Sequence, residues 1–248
     1  MINITGVYVP ELLSEETMER MRTAVSEERR QQSLRFQRQQ DAQRSLLGEL
    51  LVLYILQERY QLPADTLTFS KNSYGKPYLS EHTDIHFNLS HAGDWVICAD
   101  GNVPVGADIE RVRPIDFAIA ERFFTASEYK LLMNTAEQDR LQLFYTLWTL
   151  KESYIKFIGK GLSIPLDSFS IELIEPDRAR LAAPDPEEDS SGGWDDHCEQ
   201  TCFFRKINLD REHQLSVCSA VAFGPRPLIM VDWSELLPEH NNYEQHRL

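Results

Sequence analysis

Trp148-Thr-Leu-Lys-Glu-Ser-Tyr-Ile-Lys156, taken with its surroundings at 147–162, is the stretch on which the reading of the whole chain turns. At about 100° per residue, Phe144, Leu147, Trp148, Leu150, Tyr154, Ile155 and Ile158 fall on one broad apolar arc, with Glu152 and Lys156 together on its flank. The segment therefore reads as a core-packed helix, stopped by Gly159-Lys160-Gly161. Lys151 projects inside the apolar arc, either snorkelling to solvent or reaching into a cleft. A carboxylate and an ammonium one turn apart make either an i,i+4 pair on a solvated surface, worth about 0.2–0.5 kcal/mol, or one wall of a ligand site. The company this helix keeps decides between the two.

About forty residues upstream, Val103, Val105, Ala107 and Ile109 alternate with Gly106, Asp108 and Glu110. A period of two puts both carboxylates on one strand face, with Gly106 clearing space beside them. Such charges mark either an edge strand with a wet face or a site for a divalent cation with oxygen ligands.

With 42% apolar residues in 248, the chain is globular, large enough for one sizeable domain or two small ones. No run of about 18 apolar residues is present and the N-terminus lacks a leader pattern, so a cytoplasmic protein is expected. A net charge of −14 repels nucleic acid and anionic membrane, so a phosphorylated ligand needs a local basic site. Arg29, Arg30, Arg35, Arg38 and Arg44 form one, unless they are merely a solvated helix face. Cys98, Cys198, Cys202 and Cys218 lack the spacing of a disulfide framework and read as reduced thiols. His197, Cys198 and Cys202 have no second ligand pair, so no zinc site is expected there.

Along the chain, 4–9 reads as a strand, Ser14 as a helix cap, and 41–56 as a periodic core helix. Tyr74-Gly75-Lys76-Pro77 is a turn whose lysine is either simply exposed or a phosphate contact. Segments 85–90 and 95–99 form a hairpin, with His91 just past the first strand. Thr125-Ala-Ser-Glu128 is a capping box, so Glu128 is a helix cap rather than a catalytic acid. Strands follow at 169–173, 201–207, 215–223 and 228–231, the last three completing one sheet. An acidic loop at 184–200, a short helix capped by Ser234 and a polar tail at 239–248 fill out the C-terminal part. Arg35-Phe36 and Arg122-Phe123, each ahead of a leucine-rich helix, suggest an internal repeat. The expected fold class is α+β: two similar subdomains, 1–101 and 102–237, each a small antiparallel sheet on a long helix, with the active site at their junction.

Together, Gly106-Ala-Asp108-Ile-Glu110 and Trp148-Thr-Leu-Lys-Glu152-Ser-Tyr-Ile-Lys156 resemble the paired motifs of the 4′-phosphopantetheinyl transferases, (V/I)G(I/V)D(I/V)E and (F/W)(S/C/T)xKE(S/A)xxK. Ala107 is the one unusual position in the first. The turn at Lys76, Phe87-Asn88-Leu89-Ser90-His91 and residues 159–167 extend the likeness over nearly the whole chain. Its length is similar to the monomeric Sfp type, not to the short trimeric holo-acyl-carrier-protein synthases. The resemblance implies transfer of phosphopantetheine from coenzyme A to a serine of an apo peptidyl or acyl carrier protein, releasing adenosine 3′,5′-bisphosphate, in non-ribosomal peptide or polyketide synthesis.

Matched position by position, the resemblance assigns Asp108, Glu110 and Glu152 to Mg²⁺, with the coenzyme A pyrophosphate held beside it. Lys156 stabilises that pyrophosphate, and Glu152 takes the serine proton. Arg29, Arg44, Ser45, Lys76, Ser90 and His91 surround the adenosine and phosphates, while Gln32 stands where a second basic residue is common. Carrier docking falls on segment 111–133, through side chains such as Phe117 and Met133. An alternative, a Mg²⁺-dependent pyrophosphate hydrolase, would use the same carboxylates without a carrier.

Overall fold

Two helices of 22 residues each carry the two halves of the molecule. The computed structural model describes residues 1–175, 177–182 and 202–237. The first half runs β1 (Ile2–Tyr8), α1 (Glu15–Ala24), α2 (Glu27–Ser33) and the long α3 (Gln39–Tyr60), then the short hairpin β2 (Phe69–Lys71) and β3 (Pro77–Leu79), and finally the hairpin β4 (His86–Ala92) and β5 (Trp95–Gly101). Ser14 caps α1 as expected, its side chain accepting from Thr17 N.

The second half repeats that plan with β6 (Val105–Arg111), α4 (Ala118–Phe123), α5 (Ala126–Asn134) and the long α6 (Glu137–Ile158), followed by β7 (Ser170–Glu175), β8 (Arg178–Ala182), β9 (Phe203–Ile207) and β10 (His213–Ser219). In each half the first strand pairs antiparallel with the last, β1 with β5 and β6 with β10. The outcome is the α+β architecture expected from the pattern, with sheets ordered β1-β5-β4 and β6-β10-β9-β8-β7.

Three apolar clusters hold these pieces. One packs α3 beneath β4 and β5, a second packs α6 against β7, β9 and β10, and a third joins the sheets themselves through Ile4, Ile97, Ala107, Ile109, Leu215 and Val217. β4 and β6 meet where the halves join, and side chains do the work of a ladder: Asn88 Oδ1 accepts Ala107 N at 2.8 Å and Ser90 Oγ accepts Ile109 N at 3.1 Å. The wet-edge reading of β6 is thereby corrected, since its free backbone donors are satisfied by the neighbouring half.

Other expectations need revision. Residues 228–231 do not extend the second sheet; β11 (Ile229–Met230) runs parallel to β1 in the first. The final short 3₁₀ turn is capped by Asp232, which accepts from Ser234 N, not by Ser234. α6 starts at Glu137, well before 147; its first turns are polar and Ala136 offers no side-chain cap, so the sequence carries no start signal there. The loop at 184–200, with His197 and Cys198, and the tail at 239–248 lie outside the described residues. Cys98, Cys202 and Cys218 are free thiols.

Lys151 neither snorkels nor enters the cleft. Fully buried, its ammonium pairs with Glu128 Oε2 at 2.8 Å and donates to the carbonyls of Leu166 and Phe169. Glu128 closes the capping box with Thr125 and also accepts Ile171 N at 2.8 Å. One charge pair thus ties α6 to α5 and β7, and burial holds the Lys151 pKa below its ordinary value. Removing one member of such a pair strands the other without solvent. Lys151→Met is expected to cost about 3–5 kcal/mol, read as a lowered urea midpoint, with the double variant Lys151→Met, Glu128→Leu recovering part of the loss.

Candidate active site

The close approach of β6 to α6 builds the site. A Cβ on Gly106 would lie 2.1 Å from Ser153 O and 2.3 Å from Phe157 N, so only glycine lets the helix backbone press on the strand at this point. Gly106 does clear space, as the sequence implied, but for a helix instead of a ligand. One turn of α6 then faces one face of β6. Lys156 Nζ stands 2.5 Å from Asp108 Oδ1 and 3.3 Å from Ser90 Oγ, while Ser90 Oγ itself donates to Asp108 Oδ1 at 3.1 Å.

Asp108 is 3% exposed, and its second oxygen, Oδ2, is buried without a hydrogen-bond partner. Burial raises the pKa of Asp108, Glu110 and Glu152 alike, with the Asp108 charge adding to the rise at both glutamates. Glu110 is pushed up to about 7. Carboxyls so arranged want a cation. Among the described residues no three His, Cys, Asp or Glu side chains stand close enough to enclose a metal ion. Mg²⁺ needs no such cage, because one or two carboxylates suffice when phosphate oxygens and water complete its shell. The unpartnered Asp108 Oδ2 and the oxygen-only donor set fit that ion.

Beside these carboxyls lies a cleft of about 350 Å³ whose walls include Arg29, Arg44, Ser45, Ser90, His91, Asp108, Glu110 and Lys156. Arg29 is held by Glu49 Oε2 at 3.0 Å, and its second arm reaches Ser45 Oγ at 3.1 Å and Gln32 Oε1 at 3.0 Å. Gln32, itself uncharged, thus helps to orient that guanidinium. Arg44 donates to Gly93 O at 2.5 Å and pairs with Asp41. His91 lies within β4 and opens to the cleft; crowding by protein and the positive charges of Arg44 and Lys156 lower its pKa, favouring the neutral ring. Glu152 flanks the set from α6, half-buried.

Lys76 stands apart. Its ammonium turns to the carbonyls of Val105, Lys156 and Phe157 and lines an adjoining cavity, with burial lowering its pKa to about 8. Two contributors escaped sequence reading. Asn88 shares a strand face with Ser90, a spacing of two that could have marked it. Glu49, which bonds Ser26 and Arg29, carries no such signal, since a single glutamate on a leucine-rich helix reads as its solvated face.

Residues 104–218 match the model of the 4′-phosphopantetheinyl transferase superfamily, and residues 13–102 match that of the 4′-phosphopantetheinyl transferase N-terminal region. The chain is 39% identical to 4′-phosphopantetheinyl transferase Sfp of Bacillus subtilis (strain 168), over 95% of this chain and 100% of that one. This chain belongs to the 4′-phosphopantetheinyl transferase superfamily. Further members are similar: psf-1 of Bacillus pumilus, 38% identical over 91% of both chains, and gsp of Aneurinibacillus migulanus, 45% identical over 69% of this chain and 72% of that one.

For this phosphopantetheinyl transferase the raised Glu110 has a measurable consequence. A carboxyl whose folded pKa lies above its unfolded one binds more protons when folded, so its contribution to stability is lost as pH rises from about 4.5 to about 7. The melting temperature of the metal-free protein should fall across that window more steeply than that of Glu110→Gln, which should gain on the parent by pH 7. Parallel curves would show that Glu110 is not so perturbed.

Proposed function

We propose that this transferase moves the 4′-phosphopantetheine group of coenzyme A to a serine hydroxyl of an apo carrier protein, peptidyl or acyl, leaving holo-carrier and adenosine 3′,5′-bisphosphate, in the service of peptide antibiotic or polyketide synthesis. The observation that carries it is Lys156 on Asp108, with Glu110 and Glu152 around them, at the end of a cleft walled by Arg29 and Arg44. Arg29 and Arg44 supply forked donors to phosphate oxygens, and the neutral His91 adds a hydrogen bond without further charge.

Asp108, with Glu110 or Glu152, would hold Mg²⁺, which when bound supplies charge neutralisation on the pyrophosphate. Lys156, once a ligand draws it from Asp108, donates to a pyrophosphate oxygen and stabilises the charge that builds as the phosphorus–oxygen bond to the leaving bisphosphate breaks. Glu152, its pKa raised by burial and by Asp108, accepts the serine proton as the hydroxyl oxygen bonds to phosphorus. Both halves of the site come from one chain, so the enzyme works as a monomer; its place is the cytoplasm. Among the described residues no helix is long and apolar enough to cross a membrane.

The carrier docks on α4 and α5. Ile119, Leu131 and Met133 are exposed there beside Arg113, Arg122 and Lys130, a basic and apolar face on a chain of net charge −14. Phe117 is not free to join them: it is half-buried, with its ring 6.3 Å from that of Phe144. Ile119→Asp with Met133→Asp should raise KM for the carrier about tenfold and leave KM for coenzyme A alone; an unchanged carrier KM removes this face.

The reaction itself is tested by weighing an apo peptidyl carrier after incubation with the enzyme, Mg²⁺ and coenzyme A. The carrier should gain the mass of phosphopantetheine, and Asp108→Ala should slow that gain roughly 100-fold or more. Coenzyme A cleavage with no change in the carrier would overturn transfer and leave the hydrolase.

A further inference from the structure

The turn between β2 and β3, from the first half, closes over the end of α6, from the second. Asn72 Oδ1 accepts Tyr74 N at 3.0 Å and Lys76 N at 2.9 Å, and Gly75 takes a positive φ of 89°, so the turn is fixed by its own side chain. From that platform Asn72 Nδ2 donates to Gly159 O at 2.7 Å. Lys76 Nζ donates to Lys156 O at 2.6 Å, Phe157 O at 3.3 Å and Val105 O at 3.0 Å. The last carbonyls of a helix lack partners within it, and a cation there also meets the negative end of its dipole.

An ammonium has three hydrogens, and here three carbonyls engage it, two on α6 and one at the start of β6. Val105 directly precedes Gly106, where strand and helix touch, and Lys156 is the residue whose side chain meets Asp108. We propose that Lys76 is a positioning residue, supported by Asn72: it clamps the C-terminal carbonyls of α6 to β6 and so sets Lys156 against Asp108, in place of the phosphate contact that the family resemblance assigns to it. The ammonium is a compact point donor that fits among three carbonyls, which a planar guanidinium does not. The clamp engages the same edge of β6 as Asn88 and Ser90, nearer the start of the strand, giving the junction a second fastening. The proposal rests on the transfer reading only for its kinetic expression.

The test compares Lys76→Met, Lys76→Arg and Asn72→Ala in the full-length enzyme. With Mg²⁺, coenzyme A and apo carrier, Lys76→Met should lower kcat about 10- to 100-fold, the order expected of a small misplacement of reacting groups. The Kd for coenzyme A, measured by calorimetry, should stay within about twofold, since no donor is taken from the phosphates. Asn72→Ala should shift kcat the same way by a smaller factor, and Lys76→Arg should not restore it. Hydrogen exchange at 155–159 should quicken about tenfold in Lys76→Met whether or not transfer is the reaction. Four results would overturn the clamp: coenzyme A affinity lost tenfold with kcat intact, rescue by arginine, a lowered melting temperature with kcat unchanged, or unaltered exchange at the helix end. Absence of carrier modification by the parent enzyme would instead refute the transfer reading, leaving hydrogen exchange to decide on the clamp.

Discussion

The contact of Gly106 with the backbone of α6 is the constraint on which the site depends. A strand and a helix normally keep side chains between them; here a residue without one lets Ser153 O and Phe157 N occupy the space of a Cβ. That approach brings a lysine on the helix to an aspartate on the strand, at a depth where the aspartate is almost without solvent. A buried carboxylate with no partner is costly, and Lys156 and Ser90 offset that cost on one oxygen only. The remaining oxygen is left for whatever the cleft receives.

Repetition explains how such a contact arises at a junction and not within one half. Each half is a sheet in which its opening strand lies beside its closing hairpin strand, β1 by β5 and β6 by β10, built around a helix of 22 residues. Two such sheets face each other across Ile4, Ile97, Ala107 and Val217, while β4 of one comes to the open edge of β6 in the other. Asn88 and Ser90 turn that edge into a shared seam. The turn carrying Asn72 and Lys76 fastens the start of that same edge to α6. Side chains, not ladder hydrogen bonds, therefore hold the two halves in register where chemistry occurs.

What the sequence made legible follows from the range of each interaction. The apolar arc of α6, the alternation of β6, the hairpin of β4 and β5, and the Thr125 capping box are all local, and all stand in the structure. Lys151 resisted because its partner Glu128 lies on another helix; a lone charge in an apolar arc does not say whether it escapes to solvent or is neutralised where it lies. β11 resisted because its two residues find β1 from the far end of the chain. Asp232 and Ser234 are both good caps two positions apart, and only the backbone chooses between them. The turn at Lys76 is legible from Gly75 and Pro77, but not the direction of its side chain, whose carbonyl partners lie on α6 and β6.

Charge is unevenly distributed around the cleft. The chain as a whole repels anions, with a net charge of −14, yet one end of the cleft gathers Arg29 and Arg44. The same cleft is lined by Asp108 and Glu110, with Glu152 nearby; burial raises the pKa of all three, and the Asp108 charge adds to the rise at both glutamates. A ligand that is only anionic satisfies the arginines and offends the carboxyls; a bare cation does the reverse. On the proposed reading, a polyphosphate arriving with a divalent cation would satisfy both and would draw Lys156 from Asp108 to the phosphate. On that reading, the carboxyls that burial disfavours as anions are the ones that would make a metal-paired ligand the best fit for the cleft.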